Sequence, residues 1–161
     1  MGLFSKKPEN DRLPPGQLLT GRFPVLHYGS VPPFDPKTWT FRVWGEVERP
    51  LVMDWEEFSA LPRTKLTMDI HCVTTWSKLD TEWEGVSLKT LLDAGLVVPT
   101  AEAKFVIQHA EHGFTANLPL EVVMAENFLL ATGYADAPLT PEHGAPLRGV
   151  GLGDSIIAGT G

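Results

Sequence analysis

The single cysteine of the chain, Cys72, is the residue whose type and position most readily suggest chemistry. It ends a segment of alternating polar and apolar residues and precedes a polar run, Val73-Thr74-Thr75-Trp76-Ser77-Lys78, that favours a turn. Functional side chains often lie where a rigid strand leads into a loop. At such a place a thiolate could serve as a soft metal ligand or as a nucleophile. The alternation alone favours another interpretation, in which Cys72 is the last small apolar residue of a buried row.

Histidine supplies other side chains that could bind a metal or move a proton. The chain has five histidines: His27, His71, His109, His112 and His143. His109 and His112 flank a predicted turn and could form a zinc site with Cys72, but no pair has the spacing of a known zinc motif. A Cys–His dyad is also conceivable, although no nucleophile-elbow pattern accompanies it. The glycines at 149, 151 and 153 do not make a dinucleotide loop, because no strand-to-helix context follows them.

The composition is that of a globular protein with an acidic charge balance. Its 161 residues include 13 Lys+Arg and 20 Asp+Glu, a formal net charge of -7, and 43% are hydrophobic. This balance argues against nucleic acid or an anionic membrane as the main partner. One cysteine excludes an internal disulfide. No apolar stretch is long enough to span a bilayer, and the first residues lack the apolar core of a secretion signal, so we predict a cytoplasmic protein.

Proline and glycine divide the chain into three parts. Residues 1–37 contain seven prolines, which fix φ and remove backbone donors, so we predict an extended arm on the surface of a domain. Residues 38–148 are predicted to form that domain. Residues 149–161 form a Gly-rich tail that contains neither Lys nor Arg.

Hydrophobic periodicity predicts several short strands within the domain. They fall at residues 40–44, 64–73, 104–109, 113–118 and 128–131. In the second strand alternate residues share one apolar face: Leu66, Met68, Ile70 and Cys72. A strand packed in this way could hold Cys72 in a fixed position.

Capping residues predict short helices between the strands. Asp54 and Glu57 have the spacing of a capping box for a helix that runs through residue 61. Ser87 can cap a second helix, which Gly95 ends, and a third follows Pro119. Because no regular βαβ alternation is present, a mixed α+β fold is favoured over a doubly wound one.

Three segments in this order resemble the molybdopterin-binding domain of the sulfite oxidase family: Leu26-His27-Tyr28, His71-Cys72-Val73-Thr74-Thr75-Trp76-Ser77 and His143-Gly144-Ala145-Pro146-Leu147-Arg148. Trp83-Glu84-Gly85-Val86 and Asn117-Leu118-Pro119-Leu120 are also similar to the family. The resemblance covers roughly residues 12–148 and is nearest to the bacterial haem-free branch, which includes the catalytic subunit of protein-methionine-sulfoxide reductase. It implies mixed, mainly antiparallel sheets with short helices.

The resemblance also implies a role for the residues near the metal. Cys72 matches the cysteine whose thiolate binds molybdenum beside the two sulfurs of one pterin dithiolene. His27, with Tyr28 beside it, matches a histidine that lines the cofactor pocket and takes part in catalysis. Trp76 and Ser77 would lie in a loop over the metal.

Further residues are implied to hold the cofactor. Thr74 and Thr75 would offer hydroxyl groups to the cofactor or its ligands. His143 and Arg148 match positions that hold the pterin and its phosphate, and a guanidinium suits phosphate because it donates two parallel hydrogen bonds.

The implied reaction is the exchange of an oxygen atom between molybdenum and a small oxo substrate, of the sulfur type or another. The two electrons then leave or arrive one at a time. A separate electron-transfer partner is implied, since a chain with one cysteine has no Cys-x-x-Cys-His haem motif. The residues leave the substrate and the direction of transfer open.

The sequence departs from the family after Arg148. The family continues with a hydrophobic strand, a loop and a Lys-rich segment, whereas residues 149–161 contain no basic residue, as a truncation or a shifted reading frame would give. We expect a pterin phosphate to lose counter-charge and the sheet to lose a strand. This departure keeps two alternatives open: a non-catalytic remnant or binding module, and a zinc protein that uses Cys72 with His71, His109 or His112.

Overall fold

The computed structural model describes residues 9–26 and 29–151. His27 and Tyr28 of the predicted cofactor site and residues 152–161 of the predicted tail lie outside the described residues. The strands are β1 (Leu18–Leu19), β2 (Thr40–Val43), β3 (Leu51–Asp54), β4 (Thr64–His71), β5 (Trp76–Ser87), β6 (Phe105–His109), β7 (Thr115–Pro119), β8 (Phe128–Tyr134), β9 (Ala137–Pro138) and β10 (Arg148–Gly151). The helices are α1 (Trp55–Ser59), α2 (Leu88–Asp93) and α3 (Leu120–Val123), and 3₁₀ turns lie at Glu9–Arg12, Glu111–Gly113 and Pro141–His143.

The 12-residue strand β5 lies at the centre of the main sheet. β4 runs antiparallel along one edge of β5, with its last residue, His71, opposite Ser77. The other edge is shared by two strands, since β1 pairs parallel with Trp76 and Ser77 while β8 pairs antiparallel with Trp83 to Ser87. β9 and β10 pair with β8. Leu18–Leu19 of the N-terminal arm therefore add a strand to this sheet near the end of β4.

Two smaller sheets complete the architecture. β2 pairs with β3 and β6 pairs with β7, both antiparallel. The prediction of a mixed α+β fold with mainly antiparallel sheets and short helices is confirmed.

Side-chain caps begin α1 and α2 where the sequence predicts them. The Asp54 carboxylate accepts from the amide of Glu57 at 2.9 Å, and the Glu57 carboxylate accepts from the amide of Asp54 at 3.0 Å, which completes the capping box. The Ser87 hydroxyl accepts from the amide of Thr90 at 3.2 Å. Helix α1 ends two residues earlier than expected, at Ser59. No helix in the described ranges is both long and apolar enough to cross a membrane.

Strand β8 is buried on both faces, which explains its uninterrupted apolar run. Phe128 and Leu130 belong to a hydrophobic cluster that contains Phe58 of α1, whereas Leu129 and Ala131 belong to a second cluster. Successive side chains of a strand point to opposite faces. The main sheet therefore has an apolar layer on each side, and the residues around Cys72 lie beside the second cluster, to which Trp76 contributes.

Strand β10 includes residues that the sequence assigned to the tail. Arg148 to Gly151 pair with Ala131 to Phe128, and Val150 is 2% exposed in the second cluster. Residues 149–151 thus lie in the main sheet, and a domain boundary after Arg148 stays a prediction.

Candidate functional site

A tight turn after β4 places Cys72 at the end of the main sheet. The Cys72 amide donates to the Trp76 carbonyl at 2.8 Å, and the Thr75 amide donates to the Cys72 carbonyl at 2.9 Å. Thr75 has a φ of 71°, in the left-handed region, which costs a β-branched residue about 1–3 kcal/mol. The surrounding bonds hold this strained residue in place, so the backbone of Cys72 has a defined position before any ligand binds.

The turn is shorter than the sequence predicts. The prediction of a loop through Lys78 was wrong, because residues 76–78 are the first residues of β5, and Ser77 and Lys78 pair with β4. Trp76 and Ser77 therefore lie in a strand of the sheet next to the Cys72 turn rather than in a loop.

The thiol of Cys72 lies in a polar, partly open environment. The residue is half-buried, whereas Met68 and Ile70 of the same strand are each 4% exposed. Its Sγ lies 3.1 Å from the Thr74 hydroxyl, and Thr74 and Thr75 are exposed. The adjacent Val73 is 82% exposed. Cys72 is thus not a further member of the buried apolar row of β4, and its sulfur is accessible to a ligand.

The Ser77 hydroxyl connects three parts of the chain beneath Cys72. Ser77 is fully buried, its Oγ lies 2.7 Å from His71 Nδ1, and it donates to Gln17 Oε1 at 3.1 Å. Gln17 Nε2 in turn donates to the Cys72 carbonyl at 3.0 Å. Sequence reasoning missed Gln17, because its partners lie more than 50 residues away and no local pattern marks it.

Both ring nitrogens of His143 have hydrogen-bond partners, one of which lies in the N-terminal arm. Its Nε2 lies 3.2 Å from the Phe23 carbonyl and its Nδ1 lies 3.0 Å from the Thr140 hydroxyl. The carbonyl can only accept, so Nε2 carries a proton, and a neutral ring then accepts from Thr140 at Nδ1. The imidazole also stacks on the Phe23 ring, with centroids 4.2 Å apart.

Arg148 is a buried cation without a carboxylate partner in the described residues. It is 5% exposed, and one of its terminal nitrogens donates to the His143 carbonyl at 3.0 Å. Its guanidinium carbon lies 5.3 Å from the centroid of the Phe23 ring and 5.8 Å from that of Trp83. Burial lowers the pKa of Arg148 to about 10, and the negative charge of the Cys72 thiolate opposes that shift. This region therefore attracts an anion.

The histidines proposed for a zinc site are not brought together with Cys72. The His109 ring packs on Trp44, and His112 Nε2 donates to the Ser30 carbonyl at 2.8 Å. Within residues 9–26 and 29–151 no group of three or more His, Cys, Asp or Glu side chains could hold a metal ion. The described residues thus offer no support for the zinc alternative.

A large apolar cavity lies elsewhere in the molecule. Its volume is about 590 Å³, and its walls come from β2, β6, α2 and β8. Representative lining residues are Trp39, Phe41, Leu88, Val106, Phe128 and Leu147. Cys72 is not among the residues that line it, so this cavity is separate from the thiol.

The comparison with protein families identifies the fold of these residues. Residues 28–153 match the model of the oxidoreductase molybdopterin binding domain, which covers most of the chain. The chain belongs to this family. The resemblance found in the sequence is confirmed, and with it the predictions that the chain is an oxidoreductase and that its cofactor is molybdopterin.

Relatives of this molybdopterin-binding domain include characterised enzymes. The chain is 46% identical over 151 residues to the uncharacterized oxidoreductase YuiH of Bacillus subtilis (strain 168), covering 91% of this chain and 75% of that protein. It is 28% identical over 132 residues to the catalytic subunit MsrP of the protein-methionine-sulfoxide reductase of Campylobacter jejuni, covering 71% of this chain and 43% of that protein. The crystal structure of the sulfane dehydrogenase SoxCD from Paracoccus pantotrophus matches with a TM-score of 0.67 at 24% identity, over 77% of this chain and 36% of that one. The last match shows a shared fold, and the chain spans less than half the length of the last two proteins.

Two unpaired donors in the molybdopterin-binding domain test whether its residues fit the cofactor. The buried Nε of Arg148 and Nε1 of Trp76 have no hydrogen-bond partner among the described residues. Both side chains contact the ring of Phe23, whose centroid lies 6.1 Å from that of Trp76. A buried donor without an acceptor costs free energy unless a bound group supplies one. A pterin and its phosphate are rich in acceptors and anionic, so these residues fit molybdopterin.

Proposed function

We propose that this protein catalyses oxygen-atom exchange with a small sulfur-type or other oxo substrate at a molybdenum ion that the Cys72 thiolate ligates. The observation that carries the proposal is that a half-buried thiol interacts electrostatically with Arg148, a buried cation whose Nε has no hydrogen-bond partner among the described residues. Thiolate and dithiolene sulfur are soft ligands that suit a heavy transition metal. Burial lowers the pKa of Arg148 and the negative charge of the Cys72 thiolate raises it, so the two groups lie close enough to interact, which supports one site for the metal and the anionic part of the cofactor.

The side chains around Cys72 would orient the ligand. The Thr74 hydroxyl can donate to the Cys72 sulfur at 3.1 Å, which helps to fix the orientation of the Cys72 side chain. The turn bonds fix the backbone on which the sulfur is carried, so the chain needs little rearrangement when the metal binds. When bound, molybdopterin supplies the oxygen-atom exchange and the one-electron steps, which no side chain of the protein can perform.

Arg148, Trp76 and His143 would hold the organic part of the cofactor. Arg148 offers its unpaired Nε and its charge to an anionic group, and Trp76 offers its indole N–H. His143 fixes the ring of Phe23, on which Arg148 rests. His27 and Tyr28 are proposed to line the same pocket. A cytoplasmic location and a separate electron-transfer protein are further parts of this proposal.

Metal and pterin analysis of the purified full chain tests the proposed ligand. We expect stoichiometric molybdenum and pterin after expression with an intact cofactor pathway. Cys72→Ser should reduce bound molybdenum at least tenfold, because a neutral hydroxyl does not replace a thiolate and even the loss of a group that only orients a metal ligand costs roughly 10–100-fold in affinity. Val73→Ala changes an exposed side chain of the same turn and should retain the metal.

Two outcomes would contradict the proposal. Molybdenum that remains in the Cys72→Ser protein with the same number of sulfur ligands as in wild type, counted by X-ray absorption, would exclude the thiolate as its ligand. Metal-free protein from a competent host would instead favour a binding module without catalysis.

A further inference from the structure

The side chain of Gln17 connects the N-terminal arm to the turn that carries Cys72. Its Nε2 donates to the Cys72 carbonyl at 3.0 Å, and its Oε1 accepts from the buried Ser77 hydroxyl at 3.1 Å. Both ends of one amide are thus bonded to residues on either side of the turn. An amide is well suited to this place, since it is the neutral side chain that donates and accepts at fixed separation.

The backbone of the arm holds Gln17 in this position. The Leu18 amide donates to the Thr75 carbonyl and the Thr20 amide donates to the Ser77 carbonyl, each at 2.9 Å. These bonds form the parallel pairing between β1 and β5. Gln17 therefore stands directly beside the turn, with little freedom to move away from it.

The Cys72 carbonyl accepts hydrogen bonds both from the turn and from the N-terminal arm. It accepts from the Thr75 amide at 2.9 Å within the turn and from Gln17 across the arm. A carbonyl that accepts two donors has a fixed orientation, because it has two lone pairs to offer. These two bonds fix the peptide group of Cys72 and therefore the position of the Cα from which its side chain extends.

We propose that Gln17 is a positioning residue for Cys72, and that the N-terminal arm is consequently a part of the metal site. This inference extends the proposed function, since it assigns to the arm the task of holding the ligand turn in its binding geometry. Gln17 makes no contact with the metal or with substrate in this proposal and acts only through the Cys72 peptide and Ser77.

The metal-free full chain offers a direct test, because Cys72 is its only cysteine. We would compare Gln17→Ala and Gln17→Glu with Leu18→Ala, which removes a side chain that is 72% exposed on the same strand. Gln17→Glu keeps the acceptor for Ser77 but loses the donor to Cys72. The readouts are the rate of Cys72 alkylation by iodoacetamide and the hydrogen exchange of the Thr75 amide, with the amides of β8 as the reference.

We expect both Gln17 variants to raise the Thr75 exchange rate about fivefold or more, the change in local opening that loss of one ordinary hydrogen bond gives. The alkylation rate of Cys72 should also differ from that of wild type, because its accessible sulfur loses its fixed orientation. The Leu18→Ala protein and the β8 amides should remain at the wild-type rates. Gln17 variants that match Leu18→Ala in both readouts would overturn the inference. So would an equal acceleration of Thr75 and β8, since that would reflect global destabilisation.

These readouts are independent of cofactor loading, so the two proposals can fail separately. Local effects of Gln17 together with no molybdenum in the wild-type protein would refute the metal site and leave the positioning of the turn intact. Molybdenum bound through Cys72 without any local effect of Gln17 would keep the metal site and remove Gln17 from it.

Discussion

At the scale of single residues, the buried charge of Arg148 lowers the stability of the fold and is proposed to bind an anionic ligand. A charged group at 5% exposure without a carboxylate partner is destabilising, because desolvation is not offset by an ion pair. The aromatic rings of Phe23 and Trp83 and the His143 carbonyl offset part of this cost. An anionic ligand that binds next to the guanidinium would offset the rest of this desolvation cost.

We predict that Arg148→Met stabilises the metal-free protein by about 1 kcal/mol and weakens its retention of the cofactor. The difference in free energy of unfolding between Arg148→Met and wild type should shrink as the pH rises through about 10, because the wild-type guanidinium loses its charge at its lowered pKa. Urea unfolding of the two metal-free proteins at about pH 8 and about pH 10.5 would measure the difference.

Arg22→Met is the matched control for Arg148→Met, since Arg22 is exposed on the arm and its replacement should leave the unfolding midpoint nearly unchanged. A loss of stability in Arg148→Met at both pH values would mean that the packing and the hydrogen bond of the guanidinium outweigh its desolvation.

Sequence reasoning proposed residues for the site by type but could not supply their surroundings. Cys72 stands out as the only cysteine at the end of an alternating segment. Its accessibility depends on the turn bonds and on Thr74, and its support depends on Gln17, which lies in a segment predicted only as an extended arm. Contacts between residues so far apart leave no periodic signal in the chain.

At the scale of secondary structure, helix starts were predictable and the central strand was not. The capping box of α1 and the serine cap of α2 are local, so the sequence contains all of their partners. β5 buries Ser77 and Thr81 where a strand pattern calls for apolar residues, and Thr81 is only 2% exposed. Their hydroxyls are satisfied by distant groups, the Met68 carbonyl in the case of Thr81.

The backbones of β5 and β8 approach each other closely at Gly85, which leads to a prediction about this residue. The pairing of these strands shifts register between Glu84 and Gly85. A Cβ at position 85 would lie 2.6 Å from Cα of Ala131 and even nearer the Leu130 carbonyl. Both obstacles are backbone atoms of β8, so Gly85→Ala should destabilise the protein by about 3 kcal/mol, the upper end of the range for overpacking.

Urea unfolding of Gly85→Ala beside Gly21→Ala tests the close approach of the two strands. A Cβ at Gly21 meets nothing within 4 Å, so that variant should unfold near the wild-type midpoint. Equal midpoints for the two variants would contradict the tight register between β5 and β8.

At the scale of the whole molecule, the arm is attached to the domain at several places, two of which lie beside β4 and β5. Gln17 and β1 bind the turn at Cys72, and Arg12 forms ion pairs with Asp69 of β4 and with Asp80 of β5. Burial alone would raise the pKa of Asp69, but hydrogen bonds from Arg12 and from the Asp80 amide outweigh it and hold that pKa below the ordinary 3.8. The proline content of residues 1–37 indicated an arm but not these attachments.

We predict that Asp69→Asn lowers the urea midpoint near neutral pH and that this difference from wild type fades in acid. A carboxyl whose pKa is lowered by folding contributes stability above its unfolded pKa and loses it as the pH falls through the folded value. The stability that the Asp69 carboxylate contributes should therefore be lost at pH values below 3.8, the ordinary pKa of an aspartate. Asp11→Asn, an exposed aspartate of the same arm, is the control, and a difference that persists unchanged in strong acid would contradict the ion pairs.

The parallel pairing of β1 with β5 has a consequence for the order of events in the cell. A ribosome delivers the arm first, yet the strand that receives it emerges almost 60 residues later, so the arm has nothing to dock on during early synthesis. Contacts of such long sequence separation form slowly, after the local hairpin of β4 and β5 can exist. The cysteine turn would thus acquire its final shape late, and loading of the metal would follow rather than guide assembly of the sheet.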